Sequence, residues 1–484
     1  MSRDLRAVLT DLADQMPPAA TDGIWQAGRR LRRRERIRSV VRLVAAVAVL
    51  AALGLAVPWR PAPVVPAGGE AAVPHRIWVP WMWQATVAQD PVGPATVLFS
   101  GDGLGLRGID GLDHEGKVAV VGQDGSYRML LYGGAMVTAG EDVLVSPDGR
   151  YVAHAYGSRS AWLTVTDLTT GRDRAVAGPD GPGCCGTPVA WAPDGQSLLA
   201  LHAPLRPNGS DPTGDGTDPA RLVLVDLRTG GVRILVDELG YRWRLRTASL
   251  AAFSPDGAWL AVTQGSRVSL LDRAGRTAWT RDLGPGRYLA GVGAFSPDGR
   301  RIATVSLDGC LDECDTAALG ARVWRFDYLD ARSGADTDGP AFGPVTAMAV
   351  RALGWRSGSD LVVLCYRPEV DARKTADEVF NDTGYREVGE VTLVAVRPGG
   401  GTEVLLDPPG EVLAMDVPRD LLESGRFGGP AREPAPWPAR PLLFLLVAPV
   451  ALPLLGATVA LVVVLRFRRR RRRGLDLLRR GRPA

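Results

Sequence analysis

Ser146-Pro147-Asp148-Gly149 returns along the chain as Ala192-Pro193-Asp194-Gly195, Ser254-Pro255-Asp256-Gly257 and Ser296-Pro297-Asp298-Gly299. The chemistry of the tetrapeptide is that of a tight turn: Pro presets φ at the second position, Asp suits the third, and Gly takes the left-handed conformation that closes a hairpin. Each copy is followed by a strand-like run, at Tyr151 to Tyr156, Ser197 to Leu201, Trp259 to Thr263 and Ile302 to Val305. A second run with its own turn comes next, as in Trp162 to Leu168 before Thr169-Thr170-Gly171, and Leu222 to Leu227 before Arg228-Thr229-Gly230. The unit therefore reads strand, turn, strand, loop, strand, turn, strand.

Measured between prolines the spacings are 46, 62 and 42 residues, and the long one contains a Pro/Gly/Asp-rich insert at Ala203 to Ala220. A period of about 40 to 45 residues with four short strands is the sequence signature of a propeller blade. An aromatic or apolar residue, then Ser/Ala-Pro-Asp-Gly, then an apolar strand, resembles the WD40-like repeat of TolB-type bacterial β-propellers. The resemblance covers residues 140 to 310 and then degrades. Trp355-Arg356-Ser357-Gly358-Ser359-Asp360 before Leu361 to Tyr366 keeps the aromatic and the strand but loses Pro-Asp-Gly. Lys117 to Val121 with Gln123-Asp124-Gly125, and Glu390 to Val396 with Pro398-Gly399-Gly400, add degenerate strands. The expectation is an all-β fold, a propeller of about six four-stranded blades with seven left open, flanked by two transmembrane helices.

Those helices come from hydropathy and charge. The net charge of +4 hides a partition: residues 1 to 42 hold 10 Lys/Arg against 5 acidic residues, residues 466 to 484 hold 10 against 1, and the middle keeps 37 against 47. Two apolar stretches sit at the boundaries. Pro441 to Leu465 is 25 uncharged residues, which at about 1.5 Å per residue exceeds a hydrocarbon layer of roughly 30 Å. Leu43 to Val57 has only 15, so it spans if Val40 and Val41 join it and Arg42 snorkels to the headgroups. Its small residues Gly54 and Ala56 also fit the end of a cleaved signal peptide, although the basic tail before it is long for one. Arginines before the first stretch, and Arg466 with Arg468 to Arg473 after the second, hold both ends in the cytoplasm. The arginine runs are read as topogenic anchors on anionic lipid, and no nucleic-acid partner is expected.

The resulting division is a cytoplasmic tail at 1–38, a span at 39–57, a proline-rich linker at 58–76, an extracytoplasmic propeller at 77–427, a second linker at 428–440, a second span at 441–465 and an arginine-rich tail at 466–484. The chain is thus placed in a bacterial cell membrane as a two-pass protein. A ring of blades brings its own ends together, which suits a domain tethered twice to one membrane.

Strands in a blade alternate in direction, so the Pro-Asp-Gly and Thr-Gly turns fall on one face and the long connections on the other. The long connections are Ala203 to Ala220, Leu307 to Gly320 and Arg367 to Gly389, each beyond what a hairpin needs, and loops of that kind are where binding concentrates. The same register sends all five cysteines, Cys184, Cys185, Cys310, Cys314 and Cys365, to that face. Disulfides are permitted outside the membrane, Cys310 with Cys314 is the preferred pair, and one cysteine is left over. A metal site lacks histidine at matching spacing: His75, His114, His154 and His202 form no ligand pair. No cofactor is expected. No Gly-x-Ser-x-Gly elbow or phosphate-binding glycine loop is present, and the chain is read as not an enzyme.

In the N-terminal tail Leu5, Val8, Leu9 and Leu12 follow the i, i+3, i+4, i+7 spacing of one amphipathic helix face behind a Ser2 cap, and Pro17-Pro18 ends it. A helix this short cannot bury its face alone, so it lies on lipid or on a partner. Cytoplasmic helices, one span and an external domain are similar in architecture to membrane anti-sigma factors, although residues 1 to 57 contain neither His nor Cys and so lack the zinc-type pattern. Three functions follow from the sequence: an envelope module binding a protein or ligand through the long-loop face, a transmembrane regulator whose tail holds a cytoplasmic partner such as a sigma factor, and an enzyme.

Overall fold

The computed structural model describes residues 71–434 apart from 82–83, 102–116, 132–136, 156–161, 181–185, 203–219, 240–249, 312 and 375–386. After the two-residue strand β1 (Val73–Pro74), the chain lays down β2 (Ala95–Gly101), β3 (Lys117–Gly122) and β4 (Tyr127–Leu131). Four consecutive strands then form each of two antiparallel sheets: β5 (Val143–Val145), β6 (Tyr151–His154), β7 (Leu163–Asp167) and β8 (Arg172–Val176), followed by β9 (Gly186–Trp191), β10 (Ser197–His202), β11 (Ala220–Asp226) and β12 (Val232–Leu239). The fourth sheet is β13 (Ala251–Phe253), β14 (Trp259–Gln264), β15 (Arg267–Asp272) and β16 (Thr277–Asp282).

In the fifth sheet β17 (Arg287–Leu289) and β18 (Arg301–Asp308) are separated from β20 (Val323–Asp330), β21 (Asp336–Thr337) and β22 (Val345–Thr346) by a loop that carries β19 (Cys314–Asp315) and helix α1 (Thr316–Gly320). The sixth is β23 (Ala349–Arg356), β24 (Asp360–Pro368), β26 (Val388–Val396) and β27 (Thr402–Leu406), with β25 (Arg373–Lys374) in its long loop. The chain ends in β28 (Val412–Asp416), helix α2 (Arg419–Glu423) and β29 (Phe427–Gly429). Strand β28 does not start a seventh blade. It joins the first sheet in the order β28-β2-β3-β4, so the described residues form a six-bladed propeller whose first blade takes its innermost strand from the far end of the sequence.

Burial within each blade follows from this geometry. Inner strands pack against a neighbouring blade on both faces, so they are apolar without alternation: β2, β10 and β28 are buried throughout, the pattern of a sheet covered on both sides. Outer strands meet solvent, and β8 and β16 are mostly exposed. Indole N–H groups cross the seams between blades. Trp191 Nε1 donates to Leu144 O at 3.3 Å, Trp355 Nε1 to Gly293 O at 3.0 Å and Trp279 Nε1 to Ala331 O at 3.0 Å. Trp191 and Trp355 hold the position just before the inner turn, where Phe253 and Phe295 stand in the fourth and fifth blades.

The inner turns share one hydrogen-bonded device. Ser146 Oγ donates to Asp148 Oδ1 at 2.6 Å and accepts from Tyr151 N at 2.8 Å, while Asp148 Oδ1 accepts from Arg150 N at 3.0 Å. Ser254/Asp256 and Ser296/Asp298 repeat it. Ala192 has no hydroxyl, and its turn keeps only the Asp194 bond to Gln196 N at 2.8 Å. Gly149, Gly195, Gly257 and Gly299 all have φ between +62° and +76°, where a Cβ would be strained. These bonds hold the Asp256 carboxyl below the usual carboxylate range, chiefly through Ser254. Burial is the largest single influence at Asp298 and raises it, but the Ser296 hydroxyl, the Arg300 N–H and the charges of Arg301 and Arg300 together hold it low. In the outer turns Asp226, Asp272 and Asp330 are lowered by Thr229 N–H, Arg276 N–H and Ser333 Oγ–H respectively.

Closure of the ring rests on β28 and on a buried charge pair at its end. Leu98 faces Asp416, Phe99 faces Met415 and Ser100 faces Ala414 across the β2–β28 pair. Asp416 accepts from Val145 N in the second blade at 3.0 Å and from its neighbour Val417 N at 3.1 Å, and lies 3.8 Å from Arg351 of the sixth blade. Three blades thus meet at one carboxylate. The parallel pair β1–β29 adds a second tie between the ends; β1 falls inside the stretch 58–76 assigned to linker.

The two sequence-predicted spans at 39–57 and 441–465, the tails, and the face Leu5, Val8, Leu9 and Leu12 lie outside the described residues. The expected flanking transmembrane helices therefore form no part of the observed fold: among the described residues no helix is long and apolar enough to cross a membrane, because α1 and α2 have five residues each.

Two outcomes follow. Asp416→Ala takes from the buried Arg351 the carboxylate that pairs with it and is expected to destabilise the propeller by about 3–5 kcal/mol, read from tryptophan-monitored urea unfolding of the full chain; a loss no larger than that of an exposed-turn variant such as Asp194→Ala would contradict the latch. Carboxylates lowered in the folded state stabilise above their unfolded pKa of about 4 and lose that contribution as pH falls through their folded values. The urea midpoint should therefore drop between pH 5 and pH 3 (approximate bounds from the same reference values). Asp416 and Asp420, raised by burial, pull the other way, and a midpoint that rises on acidification would show that they dominate.

Candidate binding face

The first-to-second and third-to-fourth turns of every blade lie on one side of the ring, and the second-to-third and blade-to-blade connections on the other. Both ends of the propeller belong to the short-turn side, since β2 begins and β28 ends there. Ala95 N donates to Gly149 O at 2.7 Å, Asp420 N to Pro147 O at 3.0 Å, and Arg432 pairs with Asp124 at 3.7 Å. The opposite side therefore carries the longer loops and neither end of the ring.

Two of those loops are built into one platform. Cys310 and Cys314 form a disulfide with an S–S distance of 2.08 Å. Asp315 then caps α1, accepting from Ala318 N at 2.8 Å, which fixes the loop's exit into the fifth blade. Strand β19 pairs with β25 of the sixth blade, Cys314 against Lys374 and Asp315 against Arg373, and Thr316 Oγ1 donates to Ala372 O at 2.8 Å. Beneath them Arg322 is fully buried. Its Nε donates to Cys310 O at 2.7 Å, Nη1 to Met348 O at 3.2 Å, Nη2 to Leu311 O at 3.4 Å and to Cys314 Sγ at 3.6 Å. One guanidinium thus holds the disulfide loop and the connection between the fifth and sixth blades. Above this base Val370 is 84% exposed, beside Asp371 at φ +69°, a left-handed conformation unusual outside glycine. An apolar tip on a rigid, covalently closed base is preorganised for contact.

A second polar group lies at the third blade. His202 Nε2 is 2.9 Å from Asp180 Oδ2, Arg221 reaches Asp180 at 3.0 Å and Asp237 at 2.8 Å, and the His202 and Trp162 rings meet edge-on at 5.6 Å. Hydrogen bonding from His202 holds the Asp180 carboxyl low, with Arg221 adding to it. His154 instead sits in the core, its Nε2 3.1 Å from Thr166 Oγ1, which donates to Asp173 at 2.7 Å.

The Pro147, Pro193, Pro255 and Pro297 turns lie around the short-turn face, away from the disulfide platform, so the sequence motif and the built loops occupy opposite sides. Cys365 is a half-buried free thiol that burial pushes up to about 12; Cys184, Cys185, His114 and the insert 203–219 lie outside the described residues. Among the described residues no three His, Cys, Asp or Glu side chains gather to hold a metal ion. Arg322 and its carbonyls carry no sequence signal, because their partners come from loops without a repeat.

No family model and no curated protein matches the chain. Solved structures do. A TolB of Agrobacterium tumefaciens shares 18% identity over 46% of this chain and 73% of its own, with a TM-score of 0.31. The TolB of Acinetobacter baumannii shares 15% over 69% and 65%, at 0.33. An oligogalacturonate lyase of Vibrio parahaemolyticus shares 15% over 69% and 79%, at 0.38. At this level the likeness concerns the propeller alone, and the six-blade count rests on the strand pairing. The lyase nevertheless corrects one expectation: an enzyme stands among the similar propellers, so the reading that this chain is not an enzyme does not hold.

Removing the disulfide by Cys310→Ser with Cys314→Ser is expected to cost about 2 kcal/mol from loop closure and to raise amide exchange at 313–322 and 372–374 together. Peptide mapping of the unreduced protein should find the two cysteines linked. Free thiols at both, or faster exchange confined to one loop, would contradict the platform.

Proposed function

We propose that the chain is a membrane-anchored, extracytoplasmic propeller that binds a protein or other ligand of the bacterial cell envelope through its long-loop face. The observation that carries this reading is the separation of faces: both ends of the ring leave from the short-turn side, and the loops that exceed hairpin length stand on the other. Anchoring is supported by the apolar stretches at 39–57 and 441–465 and by the arginines outside them, which favour cytoplasmic tails at 1–38 and 466–484. The segments 58–72 and 430–440 then serve as short stalks, with β1 and β29 belonging to the propeller. A disulfide on the exposed face fits an oxidising compartment. The Asp180, His202 and Arg221 group and the Val370 tip give that face both polar and apolar anchors.

A second reading is favoured by the tail. The face formed by Leu5, Val8, Leu9 and Leu12 has the spacing of a partner-binding helix, and a cytoplasmic partner such as a sigma factor held there would make the propeller the sensing half of a transmembrane regulator. The two readings share one topology.

That topology is tested on intact cells expressing the full chain with tags at both ends and in the 203–219 insert. Added protease should remove the insert tag and spare both terminal tags; digestion of both ends from outside would overturn the reading.

A further inference from the structure

The two sulfurs of the platform disulfide stand in different surroundings. Cys310 is half-buried and follows the exposed Asp308 and Gly309, whereas Cys314 is 3% exposed. Arg322 Nη2 donates to Cys314 Sγ at 3.6 Å. The guanidinium does not owe its place to the S–S bond alone, because Nη1 donates to Met348 O at 3.2 Å, on the connection between the fifth and sixth blades. In the disulfide the Cys314 sulfur is neutral and a weak acceptor. As a thiolate it would receive a charge-assisted bond from the same donor. Arg322 therefore favours the reduced pair over the oxidised one, and it favours a cleavage that leaves the negative charge on Cys314.

We propose that this disulfide is a thiol-exchange site, opened by an external dithiol that attacks Cys310 and expels Cys314 as a thiolate beside Arg322. In the first step the reductant's thiolate bonds to Cys310 Sγ while the S–S bond breaks, and the electron pair of that bond leaves on Cys314 Sγ. In the second step the reductant's other thiolate attacks its own sulfur in the mixed disulfide and releases Cys310. The reductant ends as a disulfide, oxidised by two electrons. Of the two protons it gives up, one goes to Cys310 and the other to solvent while Cys314 stays a thiolate. A stabilised leaving thiolate departs faster, so Arg322 is a positioning residue for the departing sulfur. Strand β19 begins at Cys314 and pairs with β25, so the cut reaches the base below Val370 and leaves the strands of the six blades untouched. Exchange thus alters the platform without opening the ring. It does not depend on what the long-loop face binds, and its failure would leave that reading untouched.

The test treats the detergent-solubilised full chain, without denaturant, with 2-mercaptoethanol for short times. Acid then stops the exchange, the chain is denatured and alkylated with N-ethylmaleimide, and peptides are mapped. Mercaptoethanol should be found on Cys310 and maleimide on Cys314, in about tenfold excess over the reverse arrangement. Dithiothreitol in place of the monothiol should leave both cysteines open to maleimide while tryptophan fluorescence stays that of the folded ring. Arg322→Gln, which removes the charge beside Cys314, should slow opening by dithiothreitol about tenfold. If that variant does not fold, the map of the wild type decides alone. Adducts shared equally by the two cysteines or gathered on Cys314, opening only in urea that unfolds the ring, or an unchanged rate in folded Arg322→Gln would each overturn the proposal.

Discussion

Pairing of β28 with β2 is the constraint on which the rest of the structure depends. Each blade buries apolar side chains against two neighbours, so an open arc would leave one full face of Val, Leu and Phe exposed at each end. A strand from the C-terminal end of the ring, laid inside three strands from the N-terminal end, removes both exposed faces in one step. The same pairing places β2 and β28 side by side and brings the two ends of the ring to one side. It also positions Asp416 between Val145 and Arg351, so the closing strand is fastened by charge as well as by its backbone ladder.

The repeated corners are written plainly in the sequence because their physics is local. Ser, Pro, Asp and Gly within four residues close the hydrogen bonds of one turn among themselves, and three of the four copies do so with the same serine relay. The strands after them are equally legible: the run read at Trp259 to Thr263 becomes Trp259–Gln264, and the one at Glu390 to Val396 becomes Val388–Val396. The sixth blade stays readable without Pro-Asp-Gly since Trp355 retains the aromatic place before the turn. Closure is another matter. Val412–Asp416 is five apolar and acidic residues without a Ser-Pro-Asp-Gly turn after it, and only three-dimensional proximity reveals its partner. Arg351, Arg322 and the β19–β25 pair escaped because their partners follow no repeat: Asp416 on the closing strand for Arg351, the carbonyls of Cys310, Leu311 and Met348 for Arg322, and a loop of the next blade for β19.

The two sides of the ring divide the work between stability and recognition. Short turns use their aspartates to satisfy backbone amides, which leaves little freedom there. On the other side the fifth and sixth blades spend a disulfide, a helix of five residues and a buried arginine to fix a platform that hairpins alone would not require. Elaboration without a need from the scaffold is the physical argument for binding. Arg322 and Arg351 show two ways to bury a guanidinium: one is clasped by carbonyls, the other lies 3.8 Å from a buried carboxylate.

The closed six-blade ring is tested most directly by covalent capture of its seam. With Ser100→Cys and Ala414→Cys introduced in the full chain, peptide mapping after mild oxidation should find these two positions joined within one molecule, as their facing places on β2 and β28 require. A properly folded chain in which they stay reduced, or join only between molecules, would contradict the closure and the account built on it.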